Sequence, residues 1–119
     1  NEKVLSNAKE IIQTEEHFLK GAETVVVAYG LVARAALAAV KEARLGGINV
    51  GLLRLKTLWP FPKEEIRALR ARRIIVPELN RGQLVREVER VTKVEVIYVN
   101  RVDGEVMGPG EILEAIKRG

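Results

Sequence analysis

The sequence predicts an α/β fold with a parallel sheet and helices on both of its faces. Four apolar runs rich in β-branched residues are each followed by a stretch of helical period, and the connections are short. The first run carries no charge, as expected of a buried strand. Gly, Pro or Asn stands at most of the boundaries, where a strand turns into a helix. Right-handed crossovers then leave few topologies open.

A chain of 119 residues is one domain, long enough for a hydrophobic core. Residues 1–20 read as an N-terminal helix or arm, and residues 21–119 as the α/β domain. In the arm, Val4, Leu5, Ala8, Ile11 and Ile12 recur at helical spacing, whereas Thr14-Glu15-Glu16-His17 is polar and lacks that spacing. The first strand is Thr24 to Gly30, β-branched and uncharged. The helix from Leu31 to Leu45 puts Val32, Ala36, Ala39, Val40 and Ala43 on one face, and Arg34 and Lys41 on another. Gly46-Gly47 ends it, as a left-handed residue after a helix would.

Ile48 to Leu55 is the second strand, alternating in part around Gly51. Leu58-Trp59-Pro60-Phe61-Pro62 leads into a helix with Pro62 first, Glu64 and Glu65 in its first turn, and Ile66 and Leu69 inward. Trp59 is core or interface, and packing at the edge of the sheet suits it best. The third strand runs from Arg73 to Leu79. Pro77 lacks an amide hydrogen, so the ladder should stop there on one side. Val94 to Val99 is the fourth strand, Asp103-Gly104 a turn, and Gly108-Pro109-Gly110-Glu111 the start of a last helix with Ile112, Leu113 and Ile116 inward.

Apolar residues make up 47% and charged residues 30%, an ordinary balance for a soluble domain. No apolar run approaches the roughly 20 residues of a membrane span, and Asn1-Glu2-Lys3 opens no secretory signal, so a cytoplasmic setting without membrane contact is expected. Many Lys, Arg and Glu with few Gln lean toward a thermophile. The net charge is +4. Arg67, Arg70, Arg72 and Arg73 cluster, but without stacking aromatics among them, and read as a solvated helix end rather than a nucleic-acid surface.

Catalytic patterns are scarce. There is no cysteine, hence no disulfide, thiolate metal site or iron–sulfur cluster held by this chain. Gly30-Leu31-Val32-Ala33 matches no phosphate loop. His17 is the single histidine, and Ser6, the single serine, has no base nearby in sequence, so no nucleophile–base pair is expected. Glu15-Glu16 and Glu64-Glu65 are adjacent pairs that would not share a helix face.

The stretch that concentrates possibilities is Glu78-Leu79-Asn80-Arg81-Gly82-Gln83, where the third strand passes into the next helix. Such turns lie at the carboxyl edge of a sheet, where α/β proteins meet ligands. Asn80 can cap the helix, with Gln83 three residues on as in a capping box. Glu78 has no part in that cap. Its carboxylate either pairs with Arg81 or Arg101, or faces the cleft between the first and third strands and meets a neighbouring domain or subunit. Gly30, Glu78, Asn80, Arg81, Gly82 and Gln83 are therefore the candidate interface or anion site. No catalytic, cofactor-binding or metal-ligating residue is assigned.

Val27-Ala28-Tyr29-Gly30, Gly51-Leu52-Leu53-Arg54, Leu58-Trp59-Pro60-Phe61-Pro62, Glu78-Leu79-Asn80-Arg81-Gly82-Gln83 and Asn100-Arg101-Val102-Asp103-Gly104 occur in this order. Together they resemble the C-terminal domain of the α subunit of 2-oxoacid:ferredoxin oxidoreductases, of the archaeal 2-oxoglutarate type. The Trp-Pro-Phe-Pro and Glu-Leu-Asn-x-Gly-Gln stretches are the specific parts. Leu31, where the family often has a small polar residue, and Pro77, where it has an aliphatic one, depart from the pattern. The resemblance implies a three-layer α/β/α fold of the transketolase C-terminal-domain type, with the parallel strands in the order 2-1-3-4. The order then reverses between the strand ending at Gly30 and the one ending at Leu79.

By the same resemblance, the whole enzyme oxidatively decarboxylates a 2-oxo acid, with 2-oxoglutarate the expected one, to its acyl-CoA and reduces ferredoxin. It uses thiamine diphosphate, Mg²⁺ and [4Fe–4S] clusters, whose motifs this chain does not carry. The implied role is a non-catalytic assembly and support domain, inactive alone. Its partners would be the catalytic domain of the same α subunit, which would precede residue 1, a thiamine-diphosphate-binding β subunit and, through the whole enzyme, ferredoxin. The alternative reading is a free-standing flavodoxin-like module that binds a small anion where Gly82 offers an amide and Arg81 a charge.

Overall fold

The computed structural model describes residues 14–58, 60–78, 82–100 and 107–118. Its elements are β1 (Thr14–His17), β2 (Thr24–Tyr29), α1 (Leu31–Leu45), β3 (Val50–Leu55), α2 (Lys63–Arg67), β4 (Arg73–Glu78), α3 (Gln83–Val91), β5 (Glu95–Asn100) and α4 (Pro109–Arg118). The five strands form one sheet in the order β1-β3-β2-β4-β5. Four are parallel, and their order matches the one the resemblance implied.

Side chains alternate across the pleat, so each central strand feeds two cores. Val26, Ala28, Leu52 and Ile75 face α1 and α4, where Val32, Ala36, Ala39, Val40, Ile112 and Ile116 meet them. Val25, Val27, Leu53, Leu55, Ile74 and Val76 face α2 and α3, where Ile66, Leu84, Val85 and Val88 meet them. The alanines of α1 are the reason its axis can come close to the sheet: Ala33, Ala36, Ala39 and Ala43 are each at most 1% exposed. Burying such a set supplies the hydrophobic driving force, about 25 cal/mol per Å² of apolar surface removed from water.

The helix ends follow local chemistry. After α1, Gly47 takes φ 89°. The Gly47 amide donates to the Arg44 carbonyl and the Ile48 amide to the Ala43 carbonyl, both at 3.0 Å, which is a Schellman closure. Pro62 stands just before α2 rather than as its first residue, and α2 closes after one turn and a half. At α4, Pro109 is first, and the Glu111 carboxylate reaches back to accept the Gly108 amide at 3.0 Å, half of a capping box.

Residues 14–17 differ from expectation. The stretch read as the end of a helix or arm is a strand, antiparallel to β3 at the sheet edge, with Glu15 opposite Arg54 and His17 opposite Leu52. Among the described residues the sheet thus begins at Thr14 and not after residue 20; the rest of the expected arm, residues 1–13, lies outside the described residues. Gly51 makes the pairing possible. A Cβ there would stand 2.6 Å from the Phe18 carbonyl oxygen, so only glycine lets the chain leave β1 across β3. Phe18 turns with φ 59°, its ring covered by the Arg44 guanidinium at 4.8 Å. His17 is half-buried and bonds Glu15 at 3.1 Å, a contact that holds the Glu15 carboxyl below the usual carboxylate range, with Lys56 and Arg54 adding to the effect and desolvation opposing it.

Arg73 is a second correction. It is not part of a solvated helix end: its guanidinium donates to the Thr24 hydroxyl at 3.1 Å and to the Ile116 carbonyl at 2.8 Å, tying the last turn of α4 to the amino edge of the sheet. Trp59, Arg101 and the Asp103-Gly104 turn lie outside the described residues.

Candidate functional site

The chain runs from β2 to β3 on one side and then returns past β2 to β4, so the order reverses between β2 and β4. At that point the sheet parts. β2 and β3 are in register from Thr24–Val50 to Tyr29–Leu55, and β4 and β5 from Arg73–Glu95 to Glu78–Asn100. The β2–β4 ladder stops at Val26–Ile75, two residues before Pro77. Pro77 still keeps register with Val99 of β5. The ladder therefore ends on one side of the proline, as its missing amide requires. The two strand ends and the helix starts that follow them form the carboxyl edge at the switch point.

On the β4 side of that edge the helix start is closed from within. The cap residue of α3 is Gly82, with φ 81°, and it has no side chain to offer. The Glu78 carboxylate takes the place of one: Oε2 accepts the Leu84 amide at 2.9 Å and Oε1 the Val85 amide at 3.2 Å. Those are the second and third amides of the helix, the ones a capping side chain normally satisfies, and the charge also suits the positive end of the helix dipole. Gly82 is buried, and a Cβ there would stand 3.4 Å from Val85 Cγ1, 3.5 Å from Arg86 Nη1 and 3.6 Å from Tyr98 Oη. Glu78, Arg86 and Tyr98 thus converge over one helix turn. Burial pushes the Tyr98 phenol up from its usual range, the Glu78 carboxylate adds to the rise, and Arg86 offsets part of it.

This overturns the assignment of the cap. Glu78, read as having no part in the cap, is the group that caps the helix; Asn80, expected to cap it, lies with Arg81 outside the described residues. Gln83 is exposed at the first helical position and not at the third, so it is no capping-box partner. The anion-binding alternative loses its geometry too, since the amides of Leu84 and Val85 already hold a carboxylate. One sign in the sequence could have led to this: a glycine directly before the helix leaves its amides to be satisfied from elsewhere, and Glu78 is the acidic residue just upstream. Tyr98 had no such sign, because it joins the group only through the β4–β5 register, and Arg86 reaches the group from one turn along α3.

The β2 side of the edge is built differently. Gly30 precedes α1 with φ 69° and ψ −144°, a conformation nearly confined to glycine. Its carbonyl accepts the Ala33 amide at 3.0 Å, but α1 has no side-chain cap and no acidic residue in its first turn. Tyr29 and Leu31, on either side, are 42% and 73% exposed. Among the described residues, no three His, Asp or Glu side chains are placed to hold a metal ion, and the chain has no cysteine to ligate an iron–sulfur cluster. The described residues do not fit a cluster or a metal-bound diphosphate, and no chemical step is assigned to them. No described helix is long and apolar enough to cross a membrane.

Residues 22–112 match the family model of the pyruvate:ferredoxin oxidoreductase core domain II. Over 116 residues the chain is 42% identical to the 2-oxoglutarate synthase subunit KorA of Methanocaldococcus jannaschii, which takes in 96% of this chain and 31% of that protein. Over 109 residues it is 40% identical to the ketoisovalerate oxidoreductase subunit VorB of Methanothermobacter thermautotrophicus, covering 89% of this chain and 31% of that one. The chain therefore spans about a third of the length of the curated relatives it matches. Its fold is that of a solved 2-oxoglutarate:ferredoxin oxidoreductase from Magnetococcus marinus with 2-oxoglutarate, coenzyme A and succinyl-CoA bound, at a TM-score of 0.86 and 24% identity, over 98% of this chain and 21% of the other.

Proposed function

The chain belongs to the pyruvate:ferredoxin oxidoreductase core domain II family, and from that premise we propose that it is a non-catalytic assembly and support domain of a 2-oxoacid:ferredoxin oxidoreductase. The whole enzyme, on this reading, converts a 2-oxo acid to its acyl-CoA and passes the electrons to ferredoxin in the cytoplasm. Thiamine diphosphate, Mg²⁺ and the [4Fe–4S] clusters belong to its other parts: the catalytic domain of the α subunit and a thiamine-diphosphate-binding β subunit. 2-Oxoglutarate is the substrate that kinship favours, since relatives named for it match 96% and 97% of the chain and one named for ketoisovalerate matches 89%.

One observation supports the support role above the rest. Relatives named for two different 2-oxo acids match this same chain almost equally well, at 42% and 40% identity. A segment shared so evenly is not where the substrate is chosen. The physical reading agrees: the carboxylate best placed for chemistry, Glu78, is committed to two helix amides. The test is a pair of assays. The purified chain should show a folded circular dichroism spectrum and no 2-oxoglutarate-dependent reduction of viologen. A hybrid in which it replaces the matching third of the Methanocaldococcus jannaschii subunit, assembled with the remaining subunits, should reduce viologen. Turnover by the chain alone would contradict the proposal.

A further inference from the structure

The two helix starts at the switch point differ in what surrounds them. Over α3 the group is closed, with Glu78, Arg86 and Tyr98 filling the space around Gly82. Over the start of α1 the space is open among the described residues: a Cβ added at Gly30 would meet none of them within 4 Å. Tyr29 and Leu31 present their side chains beside that space, 42% and 73% exposed. The other exposed large apolar residues are placed otherwise. Phe18 lies under the Arg44 guanidinium. Leu45 also stands beside an open turn, at Gly46-Gly47, but at the opposite end of α1 from the switch point, and Tyr98 leans over Gly82. Isolated exposed leucines need no explanation, but an aromatic and an aliphatic residue flanking an open, glycine-only turn make a shallow seat with an apolar rim.

On the support-domain reading, the rest of a longer polypeptide is available to cover that seat. The curated relatives are about three times as long as the matched segment, with 31% of each covered, so most of such a polypeptide lies outside this fold. The seat is at the carboxyl edge, where the β2–β4 ladder has already opened. Tyrosine suits the centre of an interface, since it brings a large apolar area at a small cost in side-chain entropy.

We infer that the Tyr29-Gly30-Leu31 turn is the docking seat for the remaining part of a longer α-type polypeptide, which packs an apolar side chain across Gly30 between Tyr29 and Leu31. This rests on the support-domain reading and specifies its contact. The β4 side of the edge, closed by Glu78, serves folding; the β2 side serves assembly.

The test uses the chain, tagged, coexpressed with the part of the Methanocaldococcus jannaschii subunit that lies outside the match. Three forms are compared by copurification: the wild type, the double variant Tyr29→Ser with Leu31→Glu, and Leu45→Glu as a control exposed elsewhere. The wild type and Leu45→Glu should bring down the other part equally, and the double variant should bring down roughly tenfold less or worse. Circular dichroism of each lone chain should be the same. Equal copurification by the double variant overturns the docking seat and leaves the support role standing. Failure of the wild type to copurify removes both. Loss of fold in the double variant, or in the milder Leu31→Ser, also overturns the seat, since a docking residue is dispensable to the lone chain.

Discussion

The starts of α1 and α3 sit side by side at one edge of one sheet, follow glycines of positive φ, and are finished in opposite ways. At α3 the strand's own last residue, Glu78, turns back and satisfies the second and third helix amides. At α1 no side chain does so, and Tyr29 and Leu31 stand out to solvent. A helix start whose amides are satisfied from within contributes to the stability of the lone chain. One left bare contributes less and is open to something else. The contrast separates residues kept for folding from residues free to serve an assembly, in a domain whose relatives are three times its length.

That contrast can be broken at several points, all by urea unfolding of the lone chain. The largest effect is expected from Gly82→Val. A β-branched residue at φ 81° carries left-handed strain, and the new side chain would crowd Val85, Arg86 and Tyr98, for about 3 kcal/mol together. Glu78→Ala should follow, at about 2 kcal/mol, the cost of removing a charged cap from two amides in a half-buried setting. Glu78→Gln keeps one good acceptor oxygen and should lose roughly half of that, near 1 kcal/mol. If both glutamate variants unfold at the wild-type midpoint, the cap has no energetic weight.

A smaller effect depends on pH. The Tyr98 phenol has its pKa raised above 10.0 in the fold, by burial first and by Glu78 second. Unfolding returns it to the ordinary value, so above pH 10.0 the unfolded chain loses a proton that the folded chain still holds. Stability from this source is whole below that pH and is lost as the pH rises toward and through the folded pKa. Tyr98→Phe should therefore flatten the alkaline fall in midpoint while leaving its slope between pH 6 and about 8 alone. An unchanged alkaline fall would mean that the fold does not raise the phenol pKa.

Much of this architecture could be read along the chain. The uncharged run of Thr24 to Tyr29 and the alanine stripe of α1 have periods that belong to one element each, and both elements formed where those periods placed them. Pro77 marked the end of the β2–β4 ladder because a missing amide acts locally. What escaped reading depended on contacts distant in sequence. Thr14–His17 looks like the end of an arm because a short polar edge strand shows little apolar alternation; only Gly51, across the sheet, reveals that something passes over β3. Arg73 resembled its solvated neighbours in sequence until α4 supplied a carbonyl for it. Of the candidate site, the location was legible from the strand-to-helix turn. The role of Glu78 was not, because a cap delivered from four residues before the cap position falls outside the usual capping patterns.

The claim that one helix start serves the fold and its neighbour does not is tested most directly by one pair of urea curves on the lone chain. Glu78→Ala is set beside the double variant Tyr29→Ser with Leu31→Glu. We expect Glu78→Ala to lower the unfolding free energy by about 2 kcal/mol and the double variant to stay within about 0.5 kcal/mol of the wild type, as exposed surface changes do. The opposite ranking, or equal losses from the two, would contradict it.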